Sequence, residues 1–405
     1  MIYIKNFYKP FLLSKNMLAV VSIAVFLLSL SISLIIFDEG ILSMLKYCLS
    51  FLLLSFLMSF MLENRNSDDD TPRNLNLVFI VLYSLAIIIF GISFYESWRA
   101  DYFITNPIWF IDTYNKWHQD TAFNISLING ILNWGYPTIG IDGHRPTAYH
   151  VLSHYVDSAL YLVSGLNPYK SYLFVSFIKA CFFANAIFIL CLKTNSSIKN
   201  GFLVFILSAP LIIASWHSIG SHALWFTSFL LIFTSGFAYR LISSQSKLST
   251  KDGIKLFIVC SLLCAGKIST GFSFVCIIFA ALFLTNIKNI RFYILGIICC
   301  GFIYLYQRLI NYSYGIGSKI DISELTIQNY FNAMTSSNYA IAYLAILASL
   351  AILYFKTKDK TLARLMFGLV ISHIVVSSIT IIFTTFNIND RYYFFLVNFQ
   401  SRYCF

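Results

Sequence analysis

The stretch Ser171–Leu192, SYLFVSFIKACFFANAIFILCL, decides the fold. A helix rising 1.5 Å per residue over this length crosses a hydrocarbon layer about 30 Å thick, and Lys179 is the one charge it would carry across. Working outward, apolar runs recur near 17–37, 41–61, 76–95, 201–216, 222–241, 255–266, 271–286, 292–310, 339–355 and 365–385. A closed β-barrel would need alternating apolar and polar residues, and these runs are solidly apolar. The whole chain of 405 residues is 58% hydrophobic and 11% charged, against about 25% charged for soluble domains. The expectation is an all-α, polytopic transmembrane bundle with about eleven spans in a single domain, residues 1–405.

The formal charge of +11 does not point to nucleic acid, because the cations sit in short blocks between apolar runs. Such blocks report topology. With the N-terminus in the cytoplasm, the inner segments collect Lys5, Lys9, Lys15, Arg65, Arg73, Lys193 and Lys199, then Arg240, Lys247, Lys251, Lys255, Lys288, Arg291, Lys356, Lys358, Lys360 and Arg364. This places the segment Glu96–Lys170 on the non-cytoplasmic side of the cell (inner) membrane, together with Trp216–His222, Asn311–Asn338 and the residues after Phe386. Met17–Phe37 is too long for a signal-peptide core and is expected to stay as the first span. The break at Lys267–Ser269 reads as two short crossings, a re-entrant hairpin or one kinked helix. Merging 255–286 into one crossing would carry Lys288 and Arg291 outside, so two crossings or a re-entrant pair fit the charges better. Apart from Cys404, the cysteines fall inside spans and act as small apolar residues, not as a disulfide framework. Neither a glycine-rich nucleotide cradle nor an internal repeat is evident.

The long outer segment contains KWHQDTAFNISLINGILNWGYPTIGIDGHRPTAYHVLSHYVDSALYLVSGLNPYK, residues 116–170. Apolar residues from Asp120 to Trp134 recur at near-helical spacing, which predicts a helix lying on the membrane surface, ended by Gly135 and Pro137. Thr147–Leu166 is again amphipathic, with His150, His154 and Asp157 on one face at intervals of four and three. Asp142, His144 and Arg145 lie between the two helices.

The order Asp120, Phe123, Asn124, Gly135, Pro137, Gly143, Tyr149, His150 and His154 resembles the first outer loop of bacterial membrane proteins of the GT-C glycosyltransferase type. That loop runs roughly D-x-x-F-H, then G-x-P, then Y-H-x-x-x-H. Asn124 stands where the pattern often has histidine, and the loop here follows the third span, not the first. The resemblance covers about fifty residues well. It implies transfer of a sugar from a polyprenyl-phosphate-linked donor to a glycan or lipid acceptor at the outer face, for cell-envelope polysaccharide, with an acidic loop residue as catalyst. An acceptor hydroxyl must lose a proton as it attacks the anomeric carbon, and a carboxylate in hydrogen-bond reach is the general base; Asp120 is the candidate. Departure of a lipid phosphate builds negative charge, which Arg145 and Lys267 would stabilise near a low-dielectric boundary. His150 and His154 are the further substrate-binding candidates.

Each of these residues also has an ordinary structural reading. Asp120 can be a helix N-cap or dipole partner, Arg145 a lipid anchor, and Lys267 a snorkelling side chain at a helix end. His150, His154 and Asp157 can face headgroups or hold a divalent cation, the one cofactor under consideration; no metal site is assigned. Lys179, deep in an apolar run, is a functional candidate by default. Two other function classes stay open. A repeat-unit polymerase would share the architecture but calls for more arginines in the outer loops than Arg99 and Arg145 supply. A flippase for lipid-linked oligosaccharide would place ionisable groups within the spans, as Lys46, Lys179 and Lys267 are. Membrane lipids are the surrounding partner in every case, and nucleic acid in none.

Overall fold

The computed structural model describes residues 11–12, 30, 40–62, 74–75, 85, 89, 119–138, 151–194, 222–243, 247–314, 326–328, 347–352, 354–355, 358 and 360–382. The fold class is all-α. The helices are α1 (Ile41–Leu62), α2 (Gln119–Trp134), α3 (Leu152–Ser164), α4 (Tyr172–Thr194), α5 (His222–Ser243), α6 (Thr250–Gly266), α7 (Ile268–Asn286), α8 (Ile290–Tyr314) and α9 (Lys360–Ile382). Beside them Phe11–Leu12 pairs antiparallel with Asn74–Leu75, with Phe11 opposite Leu75. The runs near 17–37, 76–95, 201–216 and 339–355 lie wholly or mostly outside the described residues. The stretch Trp225–Ser243, 19 residues long, is apolar and long enough to cross a membrane, and shorter apolar stretches occupy Ile41–Ser55, Phe174–Ala186, Thr270–Phe283 and Ile290–Tyr306.

The chain divides into two compact units, Met1–Arg145 with His154–Trp225, and Pro146–Ser153 with Phe226–Phe405. The first has an aromatic core contributed by α1, α3, α4 and the first turn of α5. Phe51 meets Phe182 at 5.0 Å and Trp225 at 5.5 Å between ring centroids, while Tyr47 meets Phe174 at 5.8 Å and Tyr161 at 6.0 Å. Such tilted and edge-on pairs contribute beyond the area they bury. Two left-handed glycines end helices here. Gly135 has φ 78° and donates to Ile131 O, while Gly165 has φ 71° and donates to Tyr161 O.

Helix α2 departs from the surface placement its periodicity suggested. Asn124, Ile125, Leu127, Ile128 and Gly130 are all buried, so the helix is packed on more than one side. Ser158 Oγ of α3 donates to Ile128 O at 3.3 Å, and Gly130 leaves the backbone of Thr138 room that a Cβ would fill. The apolar stripe of α2 therefore meets protein.

In the second unit α6, α7 and α8 run up, down and up. Close approach shows the reversal at Lys267, since a Cβ on Gly271 would overlap Cys264. In a continuous helix those residues would be about 10 Å apart, so the single kinked helix is excluded. The second reversal, at Ile287–Asn289, is tied by Asn289 N to Asn286 O at 2.8 Å and by the Asn286 and Asn289 side chains to the backbone of Leu248. Helices α6 and α8 thus run parallel as neighbours, with Phe257 against Phe302 at 6.0 Å and Tyr306 Oη donating to Ala265 O at 3.0 Å. Helix α9 runs antiparallel to α7, with Ser372 Oγ on Ser273 O at 3.3 Å and Gly368 against Ile277 and Ala281.

These reversals sort the charges. Arg240 holds Asp252 at 2.8 Å, Arg291 donates to Thr250 Oγ1 at 3.1 Å, and Arg364 donates to Ile242 O at 2.8 Å. One end of the unit therefore collects Arg240, Lys247, Lys251, Lys255, Lys288, Arg291, Lys360 and Arg364, while Lys267 lies at the opposite end of α6. Ser249 caps α6: its Oγ accepts from the Asp252 N–H at 3.1 Å and donates to Asp252 Oδ2 at 2.7 Å. Partial burial would raise the Asp252 carboxyl. The Arg240 and Ser249 hydrogen bonds, with the charges of Arg240 and Lys255, outweigh that and hold it below the ordinary 3.8.

Candidate functional site

Helix α3 is built with its polar face inward. His154 and Asp157 are 0% exposed, and Ser158 and Ser164 are buried with them. On the other side Leu162 is 73% exposed, with Val163 and Tyr155 beside it. A helix packing onto a water-soluble core has the opposite arrangement. The i, i+3 spacing of His154 and Asp157 puts both on one face, as the sequence implied, but that face meets protein instead of headgroups.

Asp157 meets partners from two other helices. Its Oδ1 takes Lys179 Nζ of α4 at 2.7 Å, and its Oδ2 accepts from Trp225 Nε1 of α5 at 2.9 Å. Lys179 Nζ also lies 4.4 Å from the centre of the Trp225 ring, so the cation is shared between a carboxylate and a π-face. Lys179 is 3% exposed and Asp157 0%. An isolated charge at such a place is prohibitive, and the pair survives because every strong group meets its counterpart.

One turn earlier on α3, His154 Nε2 lies 2.8 Å from Asn124 Oδ1 of α2, which places the imidazole proton on that nitrogen. Asn124 follows Asp120 by four residues, so the two occupy successive turns of one face of α2. Two buried polar links therefore leave the same face of α3, Asp157 to Lys179 of α4 and His154 to Asn124 of α2. Family models, curated proteins and solved structures contain no match to the chain.

Of the residues the sequence singled out, Asp120 occupies the first turn of α2, the position that favours an acid against the helix dipole. His154 is engaged with Asn124. Arg145 and His150 lie outside the described residues. Lys267 is half-buried and extended, at φ −157° and ψ 115°, between the last residue of α6 and the first of α7. It belongs to the second unit and Asp120 to the first. The divalent-cation reading of His150, His154 and Asp157 includes His150, which lies outside the described residues; His154 and Asp157 both meet protein partners, and among the described residues no group of three or more His, Cys, Asp and Glu is placed to hold a metal ion. Sequence reasoning marked Asp157 and Lys179 separately and missed them as a pair. The signal was present: one acid and one cation of opposite sign, each alone in an apolar helix, call for each other.

Proposed function

We propose that the chain is a polytopic protein of the cell membrane, with about eleven spans, that transfers a sugar from a polyprenyl-phosphate donor at the non-cytoplasmic face. The observation that carries the membrane part is the inverted polarity of the helices. Charged and hydroxyl side chains such as Asp157, Lys179, Thr234 and Ser372 are buried, while Ile297 of α8 is 72% exposed and Ile290, Ile294 and Leu305 face outward with it. An outward face of this kind is at home in lipid, where polar groups must find partners inside. The gathering of cations at one end of the second unit fits that end to the cytoplasm, which leaves Lys267 toward the exterior.

The transfer reading rests on the resemblance of residues 120–154 and is supported by how that segment is held. Asp120 begins a helix that is fixed to α3 through Asn124 and His154, so a general base on it would be held to a rigid element. Arg145 and Lys267 are the proposed partners of the donor phosphate. Asp120→Asn is expected to lower transfer from a polyprenyl-phosphate-linked sugar, assayed in detergent, by about 100-fold or more with insertion and yield unchanged. Retained turnover removes the base from the reading.

A specific observation favours a second reading. The buried Asp157–Lys179 pair is the kind of intramembrane ionisable group that lines a transport path, which fits a flippase for lipid-linked oligosaccharide. The same detergent assay separates the two, because transport needs a sealed membrane and chemistry does not.

A further inference from the structure

We propose that the paired starts of α6 and α8 form a docking site for a net-anionic phospholipid, its phosphate on Lys247, Lys251, Lys288 and Arg291 and its acyl chains along the apolar faces that continue from those cations. Three hydrogen bonds bring the four positions together. Leu248 N donates to Asn286 Oδ1 at 2.7 Å and Asn289 Nδ2 donates to Leu248 O at 3.3 Å, so Lys247 stands beside the turn that carries Lys288. Arg291 Nη1 donates to Thr250 Oγ1 at 3.1 Å, next to Lys251. All four cations are exposed. The two helices start side by side, since a Cβ on Gly253 would lie 3.6 Å from Leu295 Cδ2.

Charge at this place is out of balance. A helix start carries partial positive charge and ordinarily gathers acids, yet here two starts add to four cations. Helix α8 has no acid in its first turn. Asp252 is the one carboxylate among the described residues of this unit, and Arg240 engages it at 2.8 Å; Asp359, which precedes Lys360, lies outside them. The excess calls for an anion.

The surface that adjoins the cations decides which anion. On α6, Lys251 shares a face with Ile254 and Ile258, 58% and 41% exposed; on α8, Arg291 shares one at the same spacing with Ile294 and Ile298, 51% and 48% exposed. Each face opens with a cation and continues apolar. A phosphate carried on acyl chains matches both parts, whereas an acidic soluble protein or a free phosphate would leave the isoleucines uncovered. A zwitterionic headgroup brings its own ammonium against the four cations, so the site selects a net negative lipid. Tyr293, whose Oη donates to Ile287 O at 2.8 Å, adds an aromatic ring at headgroup level. The site rests on the membrane part of the proposed function and is independent of sugar transfer.

The test reconstitutes the full-length protein in vesicles of equal dioleoyl phosphatidylglycerol and dioleoyl phosphatidylcholine, extracts it in maltoside, and counts the retained lipids by mass spectrometry. Phosphatidylglycerol should be enriched at least about 10-fold, and Lys251→Gln and Arg291→Gln should each cut the enrichment by about 5-fold, the share of one basic residue at an anionic surface. Lys251→Arg should keep it, as should Lys170→Gln, which removes an exposed cation of the first unit. Matching helical circular dichroism certifies the fold of each variant. Retention of the two lipids in their bulk ratio, full enrichment in both Lys251→Gln and Arg291→Gln, or displacement of the lipid by glycerol phosphate overturns the site. An alkaline carbonate wash separates the two levels of the claim. Protein released by the wash sinks the membrane reading and the site with it, whereas protein that stays in the bilayer without lipid preference sinks the site alone.

Discussion

The two units handle charge in opposite ways. In the first, an acid and a base are shut into the interior and matched at 2.7 Å. In the second, cations are moved to the helix ends at the basic pole, where Arg240 and Asp252 meet at a similar 2.8 Å but remain 41% and 21% exposed. Equal distances do not mean equal consequences. Water and salt screen the outer pair, so it contributes little, whereas the inner pair cannot lose one member without leaving a bare charge in a low-dielectric core.

That contrast can be broken at its strong side first. Lys179→Met or Asp157→Asn should each destabilise the chain by about 3–5 kcal/mol in detergent denaturation, and the double variant should be more stable than either single one. Single variants that lose less than the Arg240→Ala control would dissolve the distinction between the units. The next effect belongs to packing: Gly271→Ala must force α6 and α7 apart at Cys264 and should cost about 1–3 kcal/mol in the same measurement. Asn124→Ala orphans the buried His154 N–H and should cost about 1–3 kcal/mol; a smaller loss would mean that the link between α2 and α3 is ornamental.

The weakest effect is at the helix cap. Asp252→Asn should cost less than about 1 kcal/mol, since the pair is exposed. Its sign with pH follows from the lowered carboxyl. The contribution is full above the unfolded value of 3.8 and is lost as pH falls through the lower folded value. Wild type and Asp252→Asn should therefore converge in stability in strong acid, and a difference that grows on acidification would reverse the assignment.

Among the described residues, helix positions were legible where the apolar pattern was long. The run at 171–192 is α4 (Tyr172–Thr194), and the stop at Gly135 and Pro137 falls where α2 ends. The facing of α2 and α3 was not legible, because an amphipathic pattern separates two faces but does not say which solvent each one meets. The pattern alone let His154 and Asp157 face headgroups, substrate or a cation; the fold turns them inward and sends Leu162 and Val163 out.

By itself the sequence determined the helical class, the helix stops set by glycine and proline, and the segregation of cations between apolar runs, because each follows from local pattern along the chain. Only the tertiary structure decided that Asp157 meets Lys179 and Trp225, that His154 meets Asn124, and that Lys267 marks a reversal instead of a kink. Those partners are separated along the chain or depend on which way a helix turns its face, and packing alone fixes that choice.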